Sequence, residues 1–214
     1  MAIISLLMAV LVAALAFFAV THVRQAMRTR LLSRLSSQLN LRFSADDPFD
    51  VPRRYADFTL IGSGHSPQAS NVMHGRLEQL PVQAFDYRYE IGHGTRRATR
   101  HYQVVAIEIE RKLPALVMWS DEDPESVPLA AQLRDGHIAA WSYRGNGELA
   151  RAVKDACGSV FGGSVSLEVG GQTFMVFRPV KRRQNNLAAR LREVAEAVRA
   201  VQSHPLLSAP AGPA

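Results

Sequence analysis

An N-terminal run of apolar residues constrains the fold of this chain more than any other feature. Residues 2–20 are apolar apart from Ser5. A helix of this length would span about 29 Å, which matches the hydrocarbon thickness of a bilayer. The run has no polar face, whereas a helix on the core of a soluble protein would have one. We therefore predict a transmembrane helix over residues 1–22 and an integral, single-pass membrane protein.

A cleaved signal peptide is the competing interpretation of this run. It would have basic residues before the apolar core, a shorter core and a small-x-small cleavage site after it. Here no Lys or Arg precedes the run, and four arginines follow it closely. This order favours an uncleaved anchor, and it places the C-terminal domain on the cytoplasmic side because cationic flanks are retained there.

Residues 23–41 continue the helical pattern and are predicted to form an amphipathic basic stalk. Its apolar residues recur every four positions: Val23, Met27, Leu31, Leu35 and Leu39. Its arginines point in other directions: Arg24, Arg28, Arg30 and Arg34. Two roles stay open for them. They contact anionic lipid headgroups, at about 1 kcal/mol each, or they only set topology while the apolar stripe packs on the folded domain.

The charge distribution argues against a nucleic-acid partner. The chain of 214 residues has a formal net charge of +6. Most of this excess lies in the stalk, because residues 41–214 contain 21 basic and 19 acidic residues. A nearly neutral folded region lacks the basic surface that nucleic acid requires. A single cysteine also excludes an intrachain disulfide framework.

The remaining chain is predicted to form one α+β domain, mainly of antiparallel sheet, over residues 53–203. Residues 42–52 contain two prolines and three aspartates, which predicts a linker. Residues 204–214 contain three prolines among small residues, which predicts a disordered tail. An acidic segment near 121–136 marks the place where the domain would divide into two subdomains.

Strand and helix patterns alternate within this domain. The predicted strands lie at 58–61, 71–77, 82–91, 102–109, 113–119 and 138–143. A helix follows with Asn146 as its N-cap, and it ends by Gly162-Gly163, with Gly158 an earlier stop. Gly170-Gly171 separates two further strands, 165–169 and 172–177, and predicts a tight hairpin. A last helix covers 187–202.

No residue pattern predicts a catalytic centre or a cofactor. Cys157 falls on the apolar stripe late in its helix, where the helix dipole disfavours a thiolate. Gly62-Ser63-Gly64 is followed by Pro67 where a phosphate-binding loop needs a third glycine. The segment 162–166 lacks the closing glycine of a nucleophile elbow.

Metal binding is not predicted either. The seven histidines are dispersed and lack the i, i+4 spacing of a helical metal site. Asp121, Asp123 and Glu125 imitate the start of a calcium loop. However, Ser126 stands where that loop needs glycine and Gln132 where it needs glutamate.

Two basic clusters outside the stalk are candidate contacts for anionic lipid. One contains Arg96, Arg97 and Arg100, and the other contains Lys181, Arg182 and Arg183. Basic clusters on loops are usually solvated, but loops close beneath the inner leaflet would meet headgroups.

Several segments together carry a resemblance to a known group of proteins. They are SADDPF, then Asn71-Val72 and Gly75, then PVQAFDYRY, a Gly-rich loop with arginines and Thr99, and then YQVVAIE with a compact apolar strand. This order resembles uncharacterised membrane-anchored bacterial proteins that carry a domain of unknown function. The resemblance implies the bacterial inner membrane and implies no activity, cofactor or site residue.

Two classes of function remain after these steps. The first is a membrane-tethered adaptor, which binds a protein partner or lipid through its sheet. The alternative is a membrane-bound hydrolase or transferase whose site converges only in three dimensions, with Asp86, His93 and His101 as the candidate residues. The lack of converging polar motifs favours the adaptor.

The arginine distribution generates a test of orientation. We expect a fluorescent protein fused after Ala214 to fluoresce, and a reporter that is active only in the periplasm to stay silent there. Neutral substitutions of the stalk arginines, combined with added lysines near Ile3, should invert or mix these signals. An active periplasmic reporter on the unmodified chain would contradict the cytoplasmic assignment.

Overall fold

The computed structural model describes residues 2–121, 133–157, 165–180 and 187–204. Its helices are α1 (Ala2–Gln38), α2 (Val51–Arg54), α3 (Gly147–Cys157) and α4 (Leu187–Ser203). Its strands are β1 (Arg42–Ser44), β2 (His65–Leu77), β3 (Leu80–Ile91), β4 (Ala98–Ser120), β5 (Gly136–Ile138), β6 (Trp141–Gly145) and β7 (Ser166–Pro179). The predicted α+β class with a mainly antiparallel sheet is confirmed.

All seven strands belong to one antiparallel sheet with β4 at its centre. The hydrogen-bonded order is β1-β2-β3-β4-β6-β5, and β7 pairs with β4. The first part of β4 lies between β3 and β7, and its last residues lie between β6 and β7. Strands from both sides of the segment 121–136 therefore share one sheet. Residues 122–132, which include Asp123 and Glu125 of the incomplete calcium-loop pattern, lie outside the described residues.

Strand β4 replaces two predicted strands. The stretches 102–109 and 113–119 were expected to be separate, but they form one strand of 23 residues. The charged residues 110–112 separate the two apolar runs in the sequence, and here the strand shifts register twice against β7, between Glu108 and Leu116. A β-bulge bends a strand without ending it.

The predicted hairpin at Gly170-Gly171 is wrong. Both glycines lie inside the continuous strand β7, and Gly171 pairs with Leu113 at the bulge in β4. Gly171 has a φ of 57°, whereas Gly170 is not in the left-handed region. A two-residue turn would need positive φ at both positions, but a bulge needs it at one. The Gly pair therefore lets the two strands bend together.

Three smaller predictions also differ from the structure. Residues 58–61 form turns rather than a strand, and 138–143 contains the β5–β6 turn. The predicted linker 42–52 contributes β1 to the sheet and the start of α2. It is ordered because Asp47 accepts hydrogen bonds from the backbone N–H groups of Phe49 and Val51.

The two larger hydrophobic cores among the described residues lie on opposite faces of the sheet. The helical face is covered by the C-terminal part of α1 with α3 and α4, and it buries residues such as Leu32, Val105 and Leu191. The loop face is covered by residues 49–61 and buries the aromatic residues of β3, including Phe85 and Tyr87. This division agrees with the period-two pattern that the sequence shows in β3.

The helix that begins after Asn146 forms as predicted. The Asn146 side chain accepts a hydrogen bond from the N–H of Leu149 at 2.8 Å, which is an N-cap. Cys157 is 2% exposed, and burial raises the pKa of its thiol to about 12. The predicted end of this helix, at Gly158 or Gly162-Gly163, lies outside the described residues.

The bulge generates a paired mutational test. Gly171→Ala should lower the free energy of unfolding by about 1 kcal/mol, because an L side chain is strained at that φ. Gly170→Ala is the matched control and should change it by only a few tenths, since its Cβ would lie an ordinary 3.4 Å from the Phe58 ring. Denaturant unfolding of the full chain in detergent measures both. Equal losses for the two variants would indicate a two-residue turn instead.

Candidate functional site

Helix α1 is fastened to the sheet by a network of polar side chains. The Arg28 guanidinium donates to both carboxylate oxygens of Asp86, at 2.7 Å from Nε and 2.5 Å from Nη2. The Thr29 hydroxyl donates to Asn71 Oδ1 at 2.9 Å, and Asn71 Nδ2 donates to Asp86 at 2.9 Å. Hydrogen bonding to Asp86 raises the pKa of Arg28 against the opposing effect of burial. The four side chains form one network across α1, β2 and β3.

A bulge in β2 aims Asn71 at this network. The register of β2 against β3 shifts between Ser70 and Met73, and Asn71 has a φ of 51°. Asparagine tolerates the left-handed region better than most residues. Because the bulge turns its amide towards α1, Asn71 joins Thr29 to Asp86.

Helix α4 contacts the sheet beside Asp86. Gln103 lies opposite Asp86 in β3 and opposite Arg178 in β7. Arg190 in the first turn of α4 donates to Gln103 Oε1 at 2.7 Å. Burial lowers the pKa of both Arg178 and Arg190, and each of them also interacts with Glu193. Asp86, Gln103 and Arg178 thus lie side by side on three neighbouring strands, and both α1 and α4 contact the sheet at this row.

The direction of α1 sets the level of the β3–β4 hairpin, which comprises residues 91–98. Just past the end of α1, Leu41 lies against Gly75, whose partner in β3 is Val82. Since Arg28 meets Asp86, α1 runs antiparallel to β3. From Asp86 to the last residue of β3 the strand advances about 16 Å. Projected onto a helix that is aligned with the strand or crosses it obliquely, this distance equals about seven to eleven helical residues. Counted back from Arg28, they reach the end of the apolar run, so the hairpin lies level with that point of α1.

A groove lies between residues 27–38 of α1 and the start of α4. Its volume is about 590 Å³, and its lining includes Met27, Leu31, Arg30, Arg34 and Ala188. Met27 is 66% exposed and Leu31 49% exposed. The predicted stalk stripe therefore divides: Leu35 and Leu39 pack on the core, while Val23, Met27 and Leu31 face outwards. The core also buries Leu32, which the predicted stripe did not include.

A second groove of about 760 Å³ lies on the loop face beside the β3–β4 hairpin. Phe58, Tyr89 and Ile91 give it an apolar floor, and His65 and His93 stand at its rim with their ring centroids 5.1 Å apart. The His65 ring also contacts the Gly92 carbonyl at 2.8 Å. The sequence gives no signal for this groove, because its walls come from separate segments.

A buried carboxylate holds one wall of this second groove. Glu168 in β7 is 6% exposed and accepts hydrogen bonds from the N–H and hydroxyl of Thr59, at 2.7 and 2.9 Å. Burial raises the pKa of Glu168, and these hydrogen bonds partly oppose the rise. The Tyr87 hydroxyl donates to the Ile61 carbonyl at 2.8 Å. Both contacts fix the turns of residues 58–63 on the sheet.

The cations predicted to contact lipid fall into different environments. Arg28 is bound by Asp86, and Arg97 is paired with Glu90. Arg30 and Arg34 line the α1–α4 groove, and Arg96 is exposed on the hairpin. Arg100 is half-buried at the start of β4. Residues 181–183, the other basic cluster, lie outside the described residues, as does the side chain of Arg24.

The candidate catalytic residues do not line one cavity. His93 borders the loop-face groove, whereas Asp86 faces α1 on the helical side of the sheet and is bound by Arg28. His101 lies opposite Arg88 on the helical face, and burial lowers its pKa. Within the described residues, no cluster of three or more His, Cys, Asp or Glu side chains is arranged to hold a metal ion.

Comparison with known proteins identifies the fold. Of the described helices, α1 is long and apolar enough to cross a membrane, which fits a membrane tether. No model of a known protein family and no curated protein matches the chain. The crystal structure of the mycobacterial trehalose monomycolate transport factor A, TtfA, is similar with a TM-score of 0.57. At 14% identity, over 87% of this chain and 98% of that chain, the likeness shows a shared fold.

The Arg28–Asp86 pair generates a double-mutant test. The side chains are 30% and 18% exposed, and the bidentate geometry should give a coupling energy of about 1–3 kcal/mol between Arg28→Gln and Asp86→Asn. Arg54 and Glu108 are the matched control, since they pair at 2.8 Å with exposures of 44% and 52%. Their coupling should stay below about 1 kcal/mol. Equal coupling energies in the two cycles would show that the pair does not fasten α1.

Proposed function

We propose that this chain is a single-pass membrane-tethered adaptor whose folded domain lies on the cytoplasmic side of the inner membrane. The observation that carries the proposal is the unbroken helix α1, whose apolar part continues directly into a part bound to the sheet by Arg28 and Thr29. A domain attached in this way keeps a fixed height and direction relative to the bilayer. The four stalk arginines support the cytoplasmic side.

The shared fold supports an accessory role rather than catalysis. The neighbour is named as a transport factor, and an accessory protein at a membrane needs a docking surface more than a reactive site. In this chain the candidate catalytic residues lie on different faces of the sheet, so the geometry favours binding.

The docking surface in this proposal is the α1–α4 groove. Val23, Met27 and Leu31 continue the apolar surface of the membrane span into a region outside the bilayer. Exposed apolar residues at helical spacing favour an amphipathic helix as the occupant. Because the stripe is continuous with the span, the partner that reaches it most directly is a helix that itself leaves the membrane at this point.

Charge determines the second property of this partner. Arg30 and Arg34 lie one turn apart and line the same groove, so the facing helix should carry Asp or Glu beside its apolar residues. The occupant is therefore the juxtamembrane helix of another membrane protein, apolar on one side and acidic along its border.

Site-specific photo-crosslinking in native membranes tests this partner. A benzophenone amino acid in place of Leu31 should capture a second membrane protein through an acidic, amphipathic segment next to its span. The same probe in place of Arg151, an exposed position on α3, is the control and should give little of this product. Adding Arg30→Glu and Arg34→Glu to the Leu31 probe should lower the yield about tenfold.

Three results would overturn the proposal. They are equal products from the Leu31 and Arg151 probes, no effect of the charge reversals, and capture of a second copy of this chain in place of another protein.

A further inference from the structure

The loop-face groove has the size and lining of a ligand site. Its volume of about 760 Å³ lies within the usual range for small-molecule pockets, about 300–1,000 Å³. The floor is apolar, with Phe58, Tyr89 and Ile91, and the polar groups stand at the rim. An occupant that matches this arrangement has an apolar body and a polar end.

The groove is built into the fold rather than left between loose loops. One wall is held by the hydrogen bonds of Glu168 and Tyr87 to the turns of residues 58–63. Gly64 closes the wall onto β3, and a Cβ at this position would lie 2.4 Å from the Glu90 carbonyl oxygen. The cavity therefore exists before an occupant arrives, which limits the ordering cost of binding.

The position of the groove points to the membrane as the source of the occupant. Ile91, Gly92 and His93 line it, and they belong to the end of β3 that reaches the level of the last apolar residues of α1. Headgroups occupy a layer of about 5–8 Å beyond the hydrocarbon. A lipid at this level can insert a chain without leaving the bilayer surface.

The charges around the groove set the class of headgroup. Arg144 lines it, and Arg96, Arg97 and Arg100 stand on the adjacent hairpin and strand. Among the described residues nearby, the carboxylates are Asp57 on the lining, Glu90, which pairs with Arg97, and Asp135, which accepts from the Gly145 N–H beside Arg144. Four arginines against these three carboxylates favour an anionic headgroup over a zwitterionic one.

We propose that the loop-face groove binds an anionic phospholipid of the adjacent leaflet, with an acyl chain on the Phe58–Tyr89–Ile91 floor and its phosphate at the hairpin arginines. The inference uses the membrane attachment of the proposed function but not the α1–α4 docking groove. The two binding surfaces lie on opposite faces of the sheet, so each can fail without the other.

Photolabelling of the full chain in nanodiscs tests the proposal. The bilayer contains about three parts phosphatidylcholine to one part phosphatidylglycerol, and a trace of phosphatidylglycerol carries a diazirine on its acyl chain. Mass spectrometry should find label within residues 56–65 and 89–93, besides α1. The same diazirine on phosphatidylcholine should label these segments several-fold less.

Two tryptophan variants separate groove binding from surface contact. Ala56 is exposed and lines the groove, so Ala56→Trp should fill it and lower the label about tenfold. Ala140 is exposed in the β5–β6 turn, and Ala140→Trp should leave the label unchanged. His93→Glu adds a negative charge at the rim, and it should reduce labelling by phosphatidylglycerol while preserving labelling by phosphatidylcholine.

Four results of these experiments would contradict the proposed lipid site. Label confined to α1 in the unmodified protein would show that no lipid chain enters the groove. Undiminished label in Ala56→Trp would place the lipid elsewhere, and equal labelling by the two lipids would remove the preference for an anionic headgroup. Competition by soluble glycerol phosphate would indicate a site for the free phosphate ester instead of the bilayer lipid.

Discussion

The ion pair between Arg28 and Asp86 is the interaction on which the rest of this structure depends. A membrane helix that ended in a loose linker would leave the domain free to rotate and to move away from the bilayer. Here the Arg28 guanidinium donates to both oxygens of the Asp86 carboxylate, and Asn71 joins the same carboxylate to Thr29. In the membrane-tethered arrangement that we propose, the height of every other surface above the membrane follows from this contact.

The long, bulged strand β4 lies at the centre of the sheet and contributes residues to both its helical face and its loop face. Because it pairs with β3 and β7 along its first part and with β6 and β7 at its end, the sheet continues through a bulge instead of ending there. One face carries α1 and α4 and the groove between them. The other face carries the turns of residues 58–63, and Glu168 holds these turns above an apolar floor.

Features that one local pattern decides can be predicted from the sequence. A uniformly apolar run predicts a long apolar helix, the alternation of apolar and polar residues in 82–91 predicts the faces of β3, and Asn146 predicts the start of α3. Features that depend on a distant partner cannot be predicted in this way. A Gly-Gly pair signals either a turn or a bulge, and the choice depends on pairing with Leu113, 58 positions earlier.

The candidate site shows the same limit more strongly. The sequence identifies the stalk arginines as a group, but it cannot separate Arg28, which is bound by Asp86, from Arg30 and Arg34, which border an open groove. The network at Asp86 also depends on the backbone of Asn71, whose left-handed conformation follows from a shift of register. Neither the shift nor the groove walls have a signature in any single segment.

The distance between α1 and the far end of the sheet tests whether the Arg28–Asp86 pair holds α1 rigidly on the domain. Spin labels at Val23→Cys and Arg76→Cys, both at exposed positions, can be measured by double electron–electron resonance in nanodiscs, since the buried Cys157 thiol has a pKa of about 12 and resists labelling. A rigid attachment predicts one narrow distance distribution, which broadens when Asp86→Asn removes the ion pair. A broad distribution in the spin-labelled protein that retains Asp86, unchanged by Asp86→Asn, would show that α1 and the sheet move independently and that the ion pair does not fix the helix.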